Sequence, residues 1–213
     1  MQIIKDLIVN HYSRRRQGTK IKYIVVHYTG CKTARGKASC INKYYHTTTR
    51  AVSAHYIVGD DDIYQCVETK YKAFHVGNGN DIITNNNSIG VDIVEHKQNE
   101  KRGFTEDNDW YFTESALNNA ASLIACLMYK YDIPVDSVVR HYDVTGKWCP
   151  RPFAGYGVNT VHGETNKAWT DFKMRCQSKY NELLNNQILN NMQNIVGTTA
   201  GGRPTNPDSS RPA

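Results

Sequence analysis

The sequence predicts an α/β fold in which a single mixed β-sheet of about five or six strands is flanked by helices. Runs of β-branched and aromatic side chains, typical of buried strands, alternate along the 213 residues with segments that have apolar side chains at helical spacing. The composition, 39% hydrophobic and 22% charged, is close to that of globular domains and indicates a chain that can bury a core.

The first half of the chain predicts three strands and one helix. Residues 23–28 (YIVVHY) form the first strand, and residues 37–48 have the apolar spacing of a helix. Residues 54–59 and 63–67 flank Asp60-Asp61-Asp62 and predict a hairpin with a polar turn. Because the glycine and the closing glutamate of a calcium loop are missing, we interpret these aspartates as turn residues.

The second half continues the alternation. It predicts a strand at 88–95 after the Asn-rich loop 85–87, a helix at 113–131, a short strand at 137–140 and a helix at 165–189. Thr113 and Thr165 are the expected N-caps of the two helices. Such interleaving places reactive groups at strand ends, where α/β proteins carry their sites.

The composition changes at residue 197. The segment 197–213 (GTTAGGRPTNPDSSRPA) is dominated by Gly, Pro, Ser, Thr and polar residues, which bury too little apolar surface to fold. We therefore predict a folded domain over residues 1–196 and a polar tail or linker over 197–213.

Several broad function classes are disfavoured by composition. We expect no membrane insertion, because no run of about 18 apolar residues is present. The N-terminal MQIIKDLIVNHYSRRR places its basic cluster after the apolar residues, unlike a secretory signal, so we expect the protein to stay in the cytoplasm until something releases it. No nucleic-acid-binding signature is found, so we expect no nucleic-acid partner.

Charge and cysteine usage suggest two further expectations. The net charge is +6, and its densest cluster, Arg14-Arg15-Arg16, is expected on a solvated face, with binding to an acidic polymer as the alternative. The six cysteines contain no CxxC pair, and we expect unpaired, mostly buried thiols.

Three residues have the chemistry of a catalytic zinc site. His27 lies near the end of the first strand, His141 follows another strand, and Cys149 comes eight residues later. Two imidazoles and one thiolate form a three-ligand set that leaves the fourth zinc position for water. Spacing alone leaves the alternative open that all three are ordinary structural residues.

Five motifs occur in order over roughly residues 20–155: KYIVVHYTG (22–30), SAHYIVGDDDIYQCVE (53–68), AFHVGN (73–78), NSIGVDIVE (87–95) and RHYDVTGKWCPRPF (140–153). Together they resemble the motifs of the N-acetylmuramoyl-L-alanine amidase family, which includes phage endolysins and shares its fold with peptidoglycan recognition proteins. A series of five motifs is far more specific than any one of them.

The resemblance implies an activity and a set of roles. It implies a zinc amidase that cuts the bond between N-acetylmuramic acid and L-alanine of bacterial peptidoglycan, most simply a phage or prophage endolysin. His27, His141 and Cys149 match the ligands of one catalytic Zn²⁺. Asp92 and Lys147 match catalytic positions, as general acid–base and oxyanion stabiliser. Anionic wall polymers are a further candidate partner.

Two departures from the family pattern matter. Asp92 is one methylene shorter than the usual Glu, and Ala54 stands where some members have a catalytic Tyr. Because the tyrosine is missing, we expect catalysis to depend more strongly on the carboxyl group of Asp92.

Other polar residues are candidates for the substrate groove or the surroundings of the metal. His75, His55, Asn86 and Asn87 are the candidate substrate-binding residues, with structural roles as the alternative. Asp143 is expected either to orient a ligand histidine or to cap a turn.

Two rival functions remain open at this point. One is a peptidoglycan-binding module of the same fold that does not cut. The other is a Cys–His hydrolase with Cys149 as nucleophile, which would leave His27 and Lys147 without a role.

Overall fold

A six-stranded mixed sheet forms the centre of the protein in its computed structural model, which describes residues 2–16, 18–98, 109–154 and 167–199, with side chains to residue 190. The strands are β1 (Ile4–Lys5), β2 (Tyr12–Ser13), β3 (Tyr23–Tyr28), β4 (Tyr56–Val58), β5 (Ile63–Gln65), β6 (Lys72–Ala73), β7 (Ser88–Ile93), β8 (His96–Lys97), β9 (Trp110–Tyr111) and β10 (Val138–Arg140). The helices are α1 (Ala38–Thr47), α2 (Glu114–Tyr131), α3 (His141–Thr145) and α4 (Lys167–Thr199).

The strand order of the central sheet is β1-β5-β4-β7-β3-β10. β3 pairs in parallel with both β7 and β10, and β4 and β5 form the predicted antiparallel hairpin. The prediction of one mixed sheet with about five or six strands is therefore confirmed. The two-residue pairs β2–β6 and β8–β9 were not predicted, because strands this short have no periodicity to detect.

Side-chain alternation separates the packing face of the sheet from the face that carries polar groups. On β3, Ile24 and Val26 belong to the main apolar core together with side chains of α2 and α4. The intervening residues Val25 and His27 point to the opposite face, since successive side chains of a strand alternate. This alternation places the polar groups of the strands away from the largest apolar core.

The predicted helices are present, and side-chain caps account for the N-termini of α1 and α2. Thr113 caps α2 by accepting the backbone N–H of Ala116 at 3.1 Å, as predicted. The α1 N-terminus is capped from the hairpin turn, where the carboxylate of Asp62 accepts the N–H groups of Ala38 and Ser39. The turn itself is closed by the N–H of Gly59, which donates to the carbonyl of Asp62 at 2.8 Å, as expected for a polar hairpin turn.

The last helix differs in extent from its prediction. It begins at Lys167, and Thr165, its expected cap, lies outside the described residues. It continues to Thr199 and so includes the first residues of the segment predicted as a tail. Of the helices that the structure describes, none is both long and apolar enough to cross a membrane.

Arg16 corrects the expectation of a solvated basic cluster. Arg14 and Arg15 are exposed, but Arg16 is only 8% exposed. Its guanidinium donates to the backbone carbonyls of Thr69, Asn86 and Ser88 at 2.7, 2.6 and 3.1 Å. Burial is tolerated because these carbonyls replace the lost water.

The cysteine prediction is confirmed in part. All six thiols are free. Cys66, Cys149 and Cys176 are buried, but Cys40 and Cys126 are exposed, so the expectation of mostly buried thiols is wrong for these two.

Candidate metal centre

The carboxyl ends of three adjacent parallel strands bring the candidate site residues together. His27 is the penultimate residue of β3, and Asp92 is its register partner on β7. His141 is the first residue after β10, on the other side of β3. A cavity of about 800 Å³ opens above these strand ends, and both histidines, Asp92, Lys147 and Cys149 line it.

His27, His141 and Cys149 converge as a donor set. The two Nδ1 atoms are 3.0 Å apart, and Sγ of Cys149 lies 3.7 Å from Nδ1 of His27. All three donor atoms lie within 4.8 Å of one another. Tetrahedral zinc with usual bond lengths needs about 3.3 Å between two nitrogens and about 3.6 Å between nitrogen and sulfur. The residues therefore fit Zn²⁺ in donor type and in spacing.

Burial keeps the three groups uncharged in the absence of a cation. Burial, the neighbouring His141 and the charge of Lys147 hold the pKa of His27 well below its usual value. The pKa of His141 falls to about 4 through burial and Lys147, whereas burial raises the pKa of the Cys149 thiol to about 12. Both imidazoles are thus neutral at pH 7, as metal ligands must be, and the thiol must lose its proton when a cation binds.

Asp92 is held by a tyrosine that the sequence did not indicate. The hydroxyl of Tyr45, on α1, donates to Oδ2 of Asp92 at 2.5 Å, and both residues line the cavity. Burial raises the pKa of Asp92 to about 7, against the lowering effect of this hydrogen bond. A carboxyl group with a pKa near neutrality can both take and return a proton at pH 7.

Lys147 is exposed at the rim of the cavity, two residues before Cys149. Its charge lowers the pKa values of His27, His141 and Asp92, which shows that one ammonium group acts on the whole cluster. This position allows it to face a negative charge that develops in the cavity.

His75 lies in the cavity wall but contacts a candidate ligand. Its Nδ1 is 3.1 Å from Nε2 of His27, and its own Nε2 is 3.2 Å from Oγ of Ser88. Both ring nitrogens therefore have protein partners, which does not favour the expected contact with substrate.

The structure places His55, Asn86 and Asn87 outside the cavity lining, and their contact with substrate stays a prediction. His55 is fully buried, and its Nδ1 accepts the N–H of Gly90 at 3.0 Å. Asn87 bonds within its own loop, where Oδ1 accepts the N–H of Thr84 at 2.9 Å. The carbonyl of Asn86 accepts from Arg16, and none of the three lines the cavity. They shape the scaffold next to the site.

The two expectations for Asp143 are also resolved. Its carboxylate accepts the backbone N–H of Arg140 at 2.8 Å and pairs with the Arg140 guanidinium at 2.6 Å. It caps the start of α3, so the turn-capping alternative is confirmed and the role beside a ligand histidine is wrong.

Glu95 is a second carboxylate that sequence reasoning did not single out. It is fully buried and accepts the N–H groups of Thr29 at 2.9 Å and Cys31 at 2.7 Å. It fixes the segment after β3, whose residues Thr29 and Cys31 line the cavity. The sequence did not indicate this role of Glu95, because the residues that it binds are more than 60 positions away along the chain.

An α/β sheet with a buried His–His–Cys donor set and an adjacent carboxyl group has the arrangement of the three-ligand class of zinc sites. The profile of the N-acetylmuramoyl-L-alanine amidase family matches residues 17–152. The chain belongs to this family.

Individual relatives agree with this assignment. N-acetylmuramoyl-L-alanine amidase CwlH of Bacillus subtilis (strain 168) is 32% identical over 163 residues, which are 76% of this chain and 60% of CwlH. The solved catalytic domain of XlyA has 29% identity and a TM-score of 0.58, with 83% of this chain and 99% of that domain covered. A mutant endolysin from Bacillus subtilis has 30% identity, the same TM-score of 0.58 and the same coverage. The chain thus spans about three fifths of CwlH but nearly all of the XlyA domain.

We expect Asp92→Asn to stabilise the metal-free protein, and to do so more strongly as the pH rises from about 4 to about 7. Burial raises the pKa of Asp92 from 3.8 to about 7, so in this window the folded chain keeps a proton that the unfolded chain has lost. The unfolding free energy of the native protein therefore falls by up to about 1.4 kcal/mol per pH unit through this group.

Urea unfolding of both proteins in the presence of a chelator, repeated across the window, measures the difference. A difference that does not change with pH would contradict the raised pKa.

Proposed function

We propose that the chain is a zinc-dependent N-acetylmuramoyl-L-alanine amidase that cuts the amide bond between N-acetylmuramic acid and L-alanine of the peptidoglycan stem, as a phage or prophage endolysin does. The observation that carries this proposal is the convergence of His27, His141 and Cys149 beside Asp92 in a cavity, in a chain of that family. The similarity to an endolysin from Bacillus subtilis supports the narrower class.

The proposed chemistry divides the work between the metal and the chain. His27, His141 and Cys149 would hold Zn²⁺, which would supply Lewis-acid chemistry for activating water and polarising the amide carbonyl. Asp92 takes the proton of the attacking water and returns it to the leaving amine. Tyr45 engages Oδ2 of Asp92, which leaves Oδ1 to accept that proton.

Lys147 has the complementary electrostatic role in this proposal. Its ammonium stabilises the negative charge that develops on the carbonyl oxygen, and the cavity wall limits screening by water. Its exposure at the rim spares its ammonium group the cost of burial.

The remaining expectations extend the proposal beyond the site. The catalytic domain comprises residues 1–196, and 197–213 is a tail or linker, although α4 carries its first residues. A location in the cytoplasm until lysis, and then at the cell wall, stays a prediction from the sequence.

The site does not favour the two rival functions. A non-cutting relative would not need the third donor, which is present as Cys149. A thiol nucleophile must be readily ionised, but burial raises the pKa of Cys149 to about 12. A metal centre gives Cys149 a role as the third donor and does not require it to be a free thiolate nucleophile.

The proposal predicts that purified protein releases L-alanine amino termini from bacterial walls and leaves the glycan strands intact. Activity should disappear in chelator and return with Zn²⁺, because all three donors serve the metal. Mass spectrometry of the digest identifies the bond that is cut.

Each rival has its own outcome in the same experiment. Activity that survives chelation and is lost on alkylation would favour the thiol hydrolase. Protein that sediments with walls without new amino termini would favour the binding module. New reducing ends would show a glycosidase instead.

Asp92→Asn should lower kcat by about 10²–10⁴-fold, because the variant cannot take a proton from water.

Lys147→Met should lower kcat by about 10²-fold through loss of oxyanion stabilisation. Lys43→Met, at an exposed position of α1 outside the cavity lining, is the matched control and should retain native activity. Zinc content, measured in parallel, should be unchanged in all three. An active Asp92→Asn enzyme would exclude the proposed acid–base role.

We also propose that the net charge of +6 draws the protein to anionic wall polymers. Activity on whole walls should then fall with added salt more steeply than activity on a small soluble fragment, because salt screens charges more than about 10 Å apart. Equal salt sensitivity of the two substrates would show that the charge has no such role.

A further inference from the structure

A line of three hydrogen bonds leads from His27 away from the donor set. Nε2 of His27 is 3.1 Å from Nδ1 of His75, and Nε2 of His75 is 3.2 Å from Oγ of Ser88. The Ser88 hydroxyl is in turn 2.6 Å from the backbone carbonyl of Thr84. All the side chains in this line are buried.

The carbonyl at the end fixes the direction of every bond in the line. A carbonyl only accepts, so the Ser88 hydroxyl uses its single hydrogen to donate to Thr84. Oγ of Ser88 then accepts from Nε2–H of His75. A neutral His75 with its proton on Nε2 has a lone pair on Nδ1, which accepts from Nε2–H of His27. The proton of His27 is therefore on Nε2, and its Nδ1 presents a lone pair to His141 and Cys149.

The position of His75 is itself built into the fold. Its backbone N–H and that of Val76 both donate to Oδ1 of Asn85, at 3.1 and 3.0 Å. Its ring packs on Gly90, where an added Cβ would come within 2.6 Å of Cγ of His75. Ser88, Gly90 and Asp92 occupy alternate positions and therefore lie on the same face of β7. Ser88 provides a hydrogen-bond acceptor, Gly90 leaves space for the His75 ring, and Asp92 provides the carboxyl group.

We propose that His75 is a positioning residue for the metal centre: by accepting the Nε2–H of His27 it holds that imidazole in the tautomer and orientation that bind Zn²⁺ through Nδ1. Ser88 and the Thr84 carbonyl set the tautomer of His75, and Gly90 gives its ring room. This inference rests on the zinc site of the proposed function. It replaces the expected substrate contact of His75, because both ring nitrogens already have partners.

Loss of the acceptor should weaken the metal site. Without it, His27 is free to carry its proton on Nδ1, which blocks the metal position, and its ring is no longer fixed. Partners that orient a ligand histidine typically change metal affinity by about 10–100-fold.

The test uses two variants of similar size in the full chain. His75→Met has no good acceptor and should raise the Zn²⁺ dissociation constant by about 10–100-fold. His75→Gln offers an amide oxygen to His27 and should bind Zn²⁺ nearly as tightly as the native protein. Competition with a chromophoric chelator measures the affinities, and the absorption spectrum of the Co²⁺-substituted proteins reports the ligand geometry.

Further measurements keep the outcome clear if the methionine variant folds poorly. Ser88→Ala removes the group that sets the tautomer of His75 and should also weaken Zn²⁺ binding, by less than His75→Met. Thermal unfolding of each metal-free variant monitors the fold. Nitrogen-15 NMR of the metal-free native protein should place the protons of His27 and His75 on Nε2.

The results separate failure of this inference from failure of the proposed function. If the native protein binds Zn²⁺ and needs it for activity, but both His75→Met and Ser88→Ala bind Zn²⁺ with native affinity, the positioning role is overturned and the amidase proposal stands. An increase in KM of His75→Met with unchanged Zn²⁺ affinity would return His75 to substrate binding. A native protein that binds no Zn²⁺ would remove the metal centre, and this inference with it. A proton on Nδ1 of His27 in the NMR spectra would also overturn the assignment.

Discussion

Parallel pairing of β3 with β7 and β10 is the constraint on which the site depends. It brings the carboxyl ends of three strands to one edge and places His27 opposite Asp92. Because side chains alternate along a strand, a register shift of one residue would turn the polar residues of a strand into the apolar core beneath α2 and α4. The apolar side chains Ile24 and Val26 thus fix the direction of His27. Core packing and site geometry are therefore set by the same pairing.

Burial is the second feature that shapes the site. It leaves His27 and His141 neutral, keeps the Cys149 thiol protonated without a cation, and raises the pKa of Asp92. The neutral imidazoles can bind a dication without first losing a proton. Asp92, whose pKa is raised to about 7, lies beside them as a proton acceptor.

The polar groups around the site are held by partners from distant parts of the chain. Tyr45 on α1 holds Asp92, Glu95 holds the segment after β3, and Ser88 on β7 meets His75. Arg16 donates to the carbonyl of Asn86, in the loop before β7, and to that of Ser88, the first residue of β7. These bonds fix the start of the strand that carries Asp92. These contacts turn a set of strand ends into a defined cavity.

Local patterns determined the elements, and the order of motifs determined the family. The strand at 23–28, the β4–β5 hairpin and the Thr113 cap followed from neighbouring residues, because alternation, turn chemistry and capping act over a few positions. The resemblance supplied the donor residues, and the structure brings them together. The partners of His75 and Tyr45 were decided only by the tertiary structure, whereas Asp143 caps its own turn, which is a local interaction. A hydrogen bond such as that between Tyr45 and Asp92 joins residues 47 positions apart, and no local pattern specifies it. The burial of Arg16 is of the same kind, since its acceptors are backbone carbonyls, which look alike in every sequence.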